Sequence, residues 1–292
     1  MSAHRLPHLA QRLFNRPLAV LPDKAELIMA VLADRFGVTR LFRPDGSVRM
    51  MEDYDDAPIG DPAARKVVSV VGGVAVIPVE GTLVHRLGSV EPYSGMTGYD
   101  GTRIQFAAAW DDPAVRAIVL DIDSPGGEVS GCFDLADTIF AARLTGEKPI
   151  WAILDESAYS AAYAIASACT HVTVPRTGGV GSVGVIAMHV DLSKSLSAAG
   201  VAVTLITYGA HKADGADVAP LSREARERFQ ADVDAMGDLF VETVARNRGL
   251  ATAAVKATEA ATYLGAAGVA VGFADDVAAP DAAFTELLAQ LG

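Results

Sequence analysis

A serine lies where a buried strand gives way to a helix, a place where a hydroxyl can act as a nucleophile. The apolar run at residues 150–154 predicts the strand, and the small residues from about Ser157 onward predict a helix with Ser160 near its start. Free backbone N–H groups and the positive end of the helix dipole point toward such a position. They can hold the oxyanion of an acyl-transfer reaction if Ser160 is the nucleophile. The alternative is that Ser160 only caps the helix.

A serine nucleophile needs a base, and the polar loop at residues 208–217 contains Lys212. A lysine in water has a pKa of about 10.4 and is protonated at neutral pH, so it acts as a base only where burial lowers that pKa. Asp214 and Asp217 would oppose this change if they pointed toward the lysine, so we expect them to face away or to bind something else. Taken alone, a loop lysine is ordinarily a solvated surface residue.

Histidine is the alternative base. His171 and His189 fall in predicted strands, and His211 adjoins Lys212. Histidines in strands are commonly packed in the core with one ring nitrogen satisfied. We therefore favour the lysine and keep a serine–histidine arrangement as the competing mechanism.

Two glycine-rich turns lie on either side of the serine in the sequence. The turn Asp-Ile-Asp-Ser-Pro-Gly-Gly at residues 121–127 follows a predicted strand, and Gly126 and Gly127 let the backbone approach a ligand closely. An ordinary tight turn between strand and helix would look the same. The turn Gly-Gly-Val-Gly-Ser-Val-Gly-Val at residues 178–185 leads into a strand and lacks the Gly-Lys-Ser/Thr of a phosphate loop.

Strands and helices alternate from residue 67 onward, which predicts an α/β fold with a mostly parallel sheet. The predicted strands cover residues 74–79, 117–122, 150–154, 171–174, 183–190 and 203–207. The predicted helices cover residues 102–110, 129–144, 192–199 and 222–248, besides the serine helix. Residues 1–50 predict a small N-terminal appendage with one amphipathic helix at about 24–36. The acidic residues 51–66 predict a linker to a domain at 67–292.

Composition narrows the classes of partner. The 292 residues carry a net charge of −12, which argues against nucleic acid as a direct partner. The longest apolar region, residues 67–79, is too short and interrupted to span a bilayer, so we expect a cytoplasmic protein without a membrane anchor. Cys132 and Cys169 lack metal-ligand spacing and are expected to be buried thiols. The sequence therefore predicts neither a metal nor a cofactor.

The Asp-Ser-Pro-Gly-Gly turn, the serine helix, the Gly-Ser-Val-Gly-Val turn and the later lysine, in this order, resemble the signal peptide peptidase A family, the serine peptidases of the S49 type. The resemblance covers residues 67–277 and includes Gly-Phe-Ala-Asp at 272–275, which is similar to the Gly-Leu-Val-Asp ending of that family. It implies the spiral of ββα units shared with the Clp proteases and crotonases, with a long helix near the C-terminus.

The resemblance also implies roles for particular residues. Ser160 would be the nucleophile, Lys212 the general base, and Ser182 a hydrogen-bond partner of the lysine amine. Gly126 or Gly127, together with Ala161, would supply the oxyanion N–H groups. Family members often have Ser-Gly-Gly-Tyr at the nucleophile, where this chain has Ser-Ala-Ala-Tyr at 160–163. The small alanine side chains leave the N–H groups intact.

The resemblance is strongest to the phage and prophage branch, in which the peptidase cuts scaffold and head proteins during capsid maturation. It implies protein or peptide substrates, phage head and scaffold proteins among them, and a location in the host cytoplasm or procapsid interior. It also implies a homo-oligomer in which neighbouring protomers share the serine and the lysine. The alternatives are a housekeeping cytosolic peptidase, a crotonase-like acyl-CoA enzyme that does not need Lys212, and an inactive scaffold protein.

Overall fold

The computed structural model of the chain describes residues 17–21 and 67–292. The predicted helix at residues 24–36 and the predicted linker at 51–66 lie outside the described residues. Residues 17–21, which fall within the predicted appendage, contribute a strand to the sheet of the main domain.

Ten strands and eight helices are formed by the described residues. The strands are β1 Leu18–Val20, β2 Ser69–Val71, β3 Val74–Val84, β4 Met96–Gly98, β5 Ala117–Glu128, β6 Ile150–Tyr159, β7 His171–Val174, β8 Gly179–Gly181, β9 Thr262–Leu264 and β10 Asp276–Val277. The helices are α1 Tyr99–Asp111, α2 Cys132–Thr145, α3 Ala161–Ser167, α4 Ser193–Ala198, α5 Arg223–Arg248, α6 Thr252–Lys256, α7 Ala266–Ala270 and α8 Pro280–Leu291.

A mostly parallel sheet forms the centre of the fold. Its strand order is β10-β7-β6-β5-β3-β2, and all neighbouring pairs are parallel except β2 with β3. The strands are rich in Val, Ile and Leu because both faces of the sheet are covered. One face packs against helices that include α1, α2 and α3, and the other packs against α8. The predicted α/β class is confirmed.

The long strands bend part-way, and this bend creates a second layer. The pairing register shifts after Glu80 in β3 and after Ile122 in β5. Beyond the bends, β3 pairs with β4, β5 pairs with β1, and β6 pairs with β8. Each long strand thus supplies one piece to each layer and then leads into a helix, which is the predicted ββα arrangement. The second layer carries Gly126, Gly127 and the end of β6 before Ser160.

Two predicted strands are wrong. Residues 183–190 form a single antiparallel bridge, at Ile186 with Leu18, and residues 203–207 form no strand. Both segments have a high β-strand propensity, but a strand forms only where a neighbouring strand offers backbone hydrogen-bond partners. Residues 201–210 are exposed along their whole length. The helix predicted at 192–199 forms as α4.

The long helix α5 forms as predicted. Ser222 caps its N-terminus by accepting a hydrogen bond from the Ala225 N–H, and Gly249 ends it in the left-handed conformation. The C-terminal half of α5 carries Phe240 and Val244 into the main core. Helix α5 therefore supports α3, the helix that follows Ser160.

Candidate active site

Ser160 joins β6 to α3 in an unusual backbone conformation. Its φ and ψ are 54° and −122°, a region that costs a residue with a side chain about 1–3 kcal/mol. Its N–H donates to the Gly181 carbonyl at 2.8 Å, and its own carbonyl accepts from the Ala164 N–H at 3.0 Å. The side chain makes no capping hydrogen bond to α3, and Oγ lies 3.5 Å from the Gly184 carbonyl oxygen. Ser160 is therefore held strongly by its backbone and weakly by its hydroxyl, which argues against a role limited to capping.

Gly126 lies directly against Ser160. Its φ is +98°, and a Cβ added to it would stand 2.9 Å from the Ser160 Cβ and 2.9 Å from the Tyr159 carbonyl oxygen. Ser124 fixes this turn, because its Oγ donates to the Gly81 carbonyl at 2.6 Å and accepts from the Gly126 N–H at 3.1 Å. Ser124 was not among the residues predicted to support the site, although a serine two residues ahead of a glycine is a common turn signal.

Gly127 is enclosed by the neighbouring strands. A Cβ added to it would stand 1.8 Å from the Leu83 carbonyl oxygen of β3, so any larger residue is excluded there. Gly127 also pairs with Ala19 of β1 on its other edge. Gly126 and Gly127, which are predicted to supply oxyanion N–H groups, are therefore both fixed in the part of the sheet that lies beside Ser160.

The helix that follows Ser160 is anchored on several sides. All seven residues of α3, beginning with Ala161, are buried. The Tyr163 hydroxyl donates to the Phe273 carbonyl at 2.9 Å, and the two rings lie 4.8 Å apart. The neighbouring Arg248 forms a two-bond ion pair with Asp275, at 3.0 and 2.8 Å. The Gly-Phe-Ala-Asp segment at 272–275 therefore fixes α3 and, through it, Ser160.

Ser182 follows Gly181, whose carbonyl accepts the hydrogen bond from the Ser160 N–H. It is also buried, with a left-handed φ of 55°, and its N–H donates to the Ala261 carbonyl at 2.9 Å. The structure therefore brings Ser160, Ser182, Gly126 and Gly127 into one region.

Lys212 is not part of that region within a single chain. Its side chain is exposed, in a turn where its N–H donates to the Gly209 carbonyl at 3.2 Å. Within residues 17–21 and 67–292, no hydrogen bond or ion pair joins the Lys212 amine to Ser160 or Ser182. The nearby Asp214 binds Arg228 of α5, with Nε to Oδ2 at 2.8 Å, so its carboxylate has another cation as its partner. Asp217 is exposed.

The geometry of the sheet separates His171 from the serine. His171 pairs in register with Trp151 at the beginning of β6, whereas Ser160 follows the end of β6. At about 3.3 Å per residue, the bent strand between these two positions has a contour length of roughly 30 Å. His171 stacks on Trp151 at 4.2 Å and approaches Asp275 at 4.0 Å. His211 is exposed and lies 3.5 Å from Asp214. Within one chain, neither His171 nor His211 lies where a base for Ser160 is needed. His189, the third candidate, is half-buried in the segment 183–190, three residues beyond Ile186, which pairs with Leu18.

The two cysteines are buried thiols, as predicted. Both are free and fully enclosed. Burial raises the pKa of Cys132 and of Cys169 to about 12. Thiols of this kind stay protonated and unreactive at neutral pH.

The structure thus presents a constrained, buried serine between two glycine-rich turns of a bent α/β sheet. In a comparison with protein families, the model described as "Peptidase family S49" matches residues 142–292, about half of the chain. The chain belongs to peptidase family S49.

Two phage proteins are similar to the chain over most of its length. The head-tail preconnector protein GP5 of Enterobacteria phage P21 is 42% identical, over 93% of this chain and 55% of the relative. Capsid assembly protease C of Escherichia phage lambda is 38% identical, over 93% of this chain and 63% of the relative. The chain thus spans between half and two thirds of the length of these relatives. Protease 4 of Haemophilus influenzae is 25% identical, over 80% of this chain and 37% of the relative.

Among solved structures, an enoyl-CoA hydratase from Polaromonas sp. JS666 aligns with a TM-score of 0.45 and 15% identity, over 77% of this chain and 75% of that one. Among the described residues, no helix combines the length and the apolar character needed to cross a bilayer.

Proposed function

We propose that the chain is a serine endopeptidase that uses a Ser160–Lys212 dyad and cleaves phage head or scaffold proteins during capsid maturation, in the host cytoplasm or the procapsid. The observation that carries the proposal is the conformation of Ser160. It is a buried serine with a positive φ, set at the start of a buried helix and in contact with the glycine turn of β5. Membership of peptidase family S49 supports the reaction class.

The chemistry follows from the groups around Ser160. Its Oγ attacks the carbonyl carbon of a peptide bond while its proton passes to the neutral Lys212 amine. The oxyanion accepts hydrogen bonds from the Ala161 N–H and from the N–H of Gly126 or Gly127. The lysine then returns the proton to the departing amine, which leaves an acyl-enzyme. Water, deprotonated by the same lysine, hydrolyses that ester and restores Ser160.

The lysine has to come from a neighbouring protomer, because in one chain it is exposed and outside the serine region. The segment that leads to it supports this assembly. Residues 201–208 include five exposed large apolar side chains, and Ile206 is 95% exposed. A β-prone apolar segment without a strand partner is typical of a surface that pairs with another chain. Docked on a neighbour, it would bury Lys212 and lower the pKa of the amine, as a lysine base requires.

The two phage relatives support the capsid substrate. One carries the name of a capsid assembly protease and the other of a head-tail preconnector protein. Their names and their similarity over 93% of this chain favour phage head proteins over the housekeeping alternative.

A fluorophosphonate probe tests the proposal, because it labels a serine only when the hydroxyl is activated. Wild-type protein should be labelled at Ser160 and should hydrolyse a peptide library. Ser160→Ala should lose both, whereas Ser197→Ala, which changes an exposed serine of α4, should lose neither. Lys212→Ala should reduce hydrolysis by about 10²–10⁴-fold. Lys212→Arg should not restore it, since guanidinium stays protonated.

The matched control for the lysine is Lys194→Ala, which removes another exposed lysine. It should leave hydrolysis unchanged. Labelling and hydrolysis that survive Ser160→Ala would rule out the serine peptidase. A protein with neither property in the wild type would instead be the inactive scaffold, and hydrolysis that survives Lys212→Ala would remove the lysine from the mechanism.

A further inference from the structure

A short segment far away in the sequence lies beside the candidate nucleophile. Residues 17–21 run antiparallel to the end of β5, with Ala19 opposite Gly127 and Val20 opposite Gly126. On its other edge, Leu18 exchanges two backbone hydrogen bonds with Ile186, at 2.7 and 2.9 Å. The segment is therefore bound through its backbone on both sides, like a peptide inserted between two strand edges.

The register directs one carbonyl of the segment toward the serine. The Leu21 N–H donates to the Pro125 carbonyl at 3.1 Å. In an antiparallel ladder, hydrogen-bonded pairs alternate, so Ala19 and Gly127 form the next such pair and the Ala19 carbonyl accepts the Gly127 N–H. A Cβ added to Gly126 would stand 2.3 Å from the Ala19 carbonyl oxygen and 2.9 Å from the Ser160 Cβ. The Ala19 carbonyl and Ser160 therefore crowd the same side of Gly126.

The side chains of the segment divide between two environments. Leu18 and Val20 pack with Ile186 and Met188 in a small apolar cluster. Ala19 belongs to the main core, on the side of Ser160 and α3. Alternation of this kind is what a strand-binding groove imposes on its ligand: backbone bonds hold the strand and alternate side chains enter separate pockets.

The segment also covers the nucleophile. Ser160 is only 1% exposed, and Leu18, Ala19 and Val20 are themselves 3%, 1% and 5% exposed. A peptide cannot reach a hydroxyl so enclosed. Both glycine N–H groups that are candidates for the oxyanion site are also taken, that of Gly127 by the Ala19 carbonyl and that of Gly126 by the Ser124 Oγ. This arrangement is unlike a peptidase that is ready for substrate.

We propose that residues 17–21 occupy the peptide-binding groove of the chain as an internal peptide, which a substrate has to displace. The proposal rests on the proposed peptidase function, and it defines the class of substrate. The groove takes an extended peptide with a small residue facing Ser160 and apolar residues on each side of it, which contact Ile186 and Met188.

Alkylation of a cysteine at the serine position tests the groove without relying on hydrolysis. In full-length Ser160→Cys protein, the new thiol should react slowly with iodoacetamide, because residues 17–21 cover it. Adding Leu18→Glu places a charge in the apolar cluster and should displace the segment. Alkylation of the new thiol should then become about tenfold faster or more, since the rate follows the population of the open form.

The native cysteines control for unfolding, because Cys132 and Cys169 react only if the core opens. Should the glutamate variant expose them, Leu18→Ala replaces it in the same assay. A synthetic peptide with the sequence of residues 15–23 should restore slow alkylation to the opened variant, and the same peptide with Leu18→Glu should not.

Equal alkylation rates with and without the Leu18 change, while the native cysteines stay protected, would overturn the proposal and make β1 a fixed structural strand. The result of the alkylation assay does not depend on whether the chain hydrolyses peptides. A chain that never reacts with fluorophosphonate can still show the opening of the groove, and an active peptidase can still fail to show it.

Discussion

The layer that holds Ser160 and the segment that holds Lys212 differ in almost every physical property. Ser160, Ser182 and α3 are buried, and their backbone groups are bound to strands and helices on several sides. Residues 201–210 are exposed throughout and form no strand, although their sequence is rich in β-branched residues. One chain therefore fixes Ser160 and the glycine turn beside it, but leaves Lys212 in solvent.

Under the proposed shared dyad, this difference would make the lysine base depend on assembly. A lysine in water is protonated and inactive as a base, whereas a lysine enclosed by a neighbouring protomer loses its charge more readily. The backbone conformation of Ser160 needs no partner chain, since contacts within its own chain sustain the strain. If the dyad is shared as proposed, the monomer is inactive and only the oligomer hydrolyses peptides.

The difference in packing between the two regions can be measured with the same substitution at two glycines that have nearly equal φ. Gly126 has φ +98° and Gly209 has φ +99°, but a Cβ meets the Ala19 carbonyl oxygen at 2.3 Å in the first and nothing within 4 Å in the second. Both alanine variants bear the cost of a left-handed backbone, about 1–3 kcal/mol. Gly126→Ala should cost about 1–3 kcal/mol more in free energy of unfolding, because it also overpacks the site. Urea unfolding of both variants gives the difference.

Gly126→Ala should also lose peptide hydrolysis, since the added methyl group lies against Ser160. If the two variants unfold at the same urea concentration, the surroundings of Gly126 are no more tightly packed than those of Gly209. That result would contradict the difference between the two regions.

Local patterns predicted most of the fold. The strands before Gly126 and Ser160, the helices α1 to α5 and the caps of α5 all follow from apolar periodicity and from Ser222 and Gly249. The predictions at 183–190 and 203–207 were wrong because propensity cannot tell whether a partner strand exists. The sequence also gave no sign of β1, whose pairing with β5 joins residues more than a hundred positions apart.

The candidate site could be predicted in part. The glycines, Ser160 and Ser182 lie together because they end or begin neighbouring strands, which the order of elements already implies. The left-handed conformation of Ser160 depends on contacts with Gly126 and Gly181 and could not be predicted locally. The position of Lys212 depends on what its exposed segment packs against, so it stays a prediction.

A smaller effect concerns the pH dependence of the layer that holds α3. Burial raises the pKa of Asp275, but hydrogen bonds from Arg248 and the Val172 N–H and the charge of Arg248 outweigh it, and the pKa lies below its ordinary value. A carboxyl with a depressed folded-state pKa adds stability above its unfolded-state pKa, near 3.9. That stability is lost as the pH falls through the folded-state value.

Asp275→Asn should therefore lower the urea midpoint at pH 7, and the gap to wild type should narrow progressively below pH 4. The matched control is Asp276→Asn, which changes the exposed neighbouring carboxylate. A gap that stays constant from pH 7 to pH 3 would mean that the ion pair with Arg248 does not stabilise this layer.

Complementation between two inactive variants tests the shared dyad most directly. Ser160→Ala and Lys212→Ala proteins should each be inactive alone. Refolded together in equal amounts, they should recover about a quarter of wild-type hydrolysis, because a random cyclic assembly places an intact Ser160 against an intact Lys212 at about one interface in four. Native mass spectrometry of differently tagged chains verifies that mixed oligomers form. Mixed oligomers that hydrolyse nothing, or a monomer that hydrolyses peptide at the wild-type rate, would contradict the account.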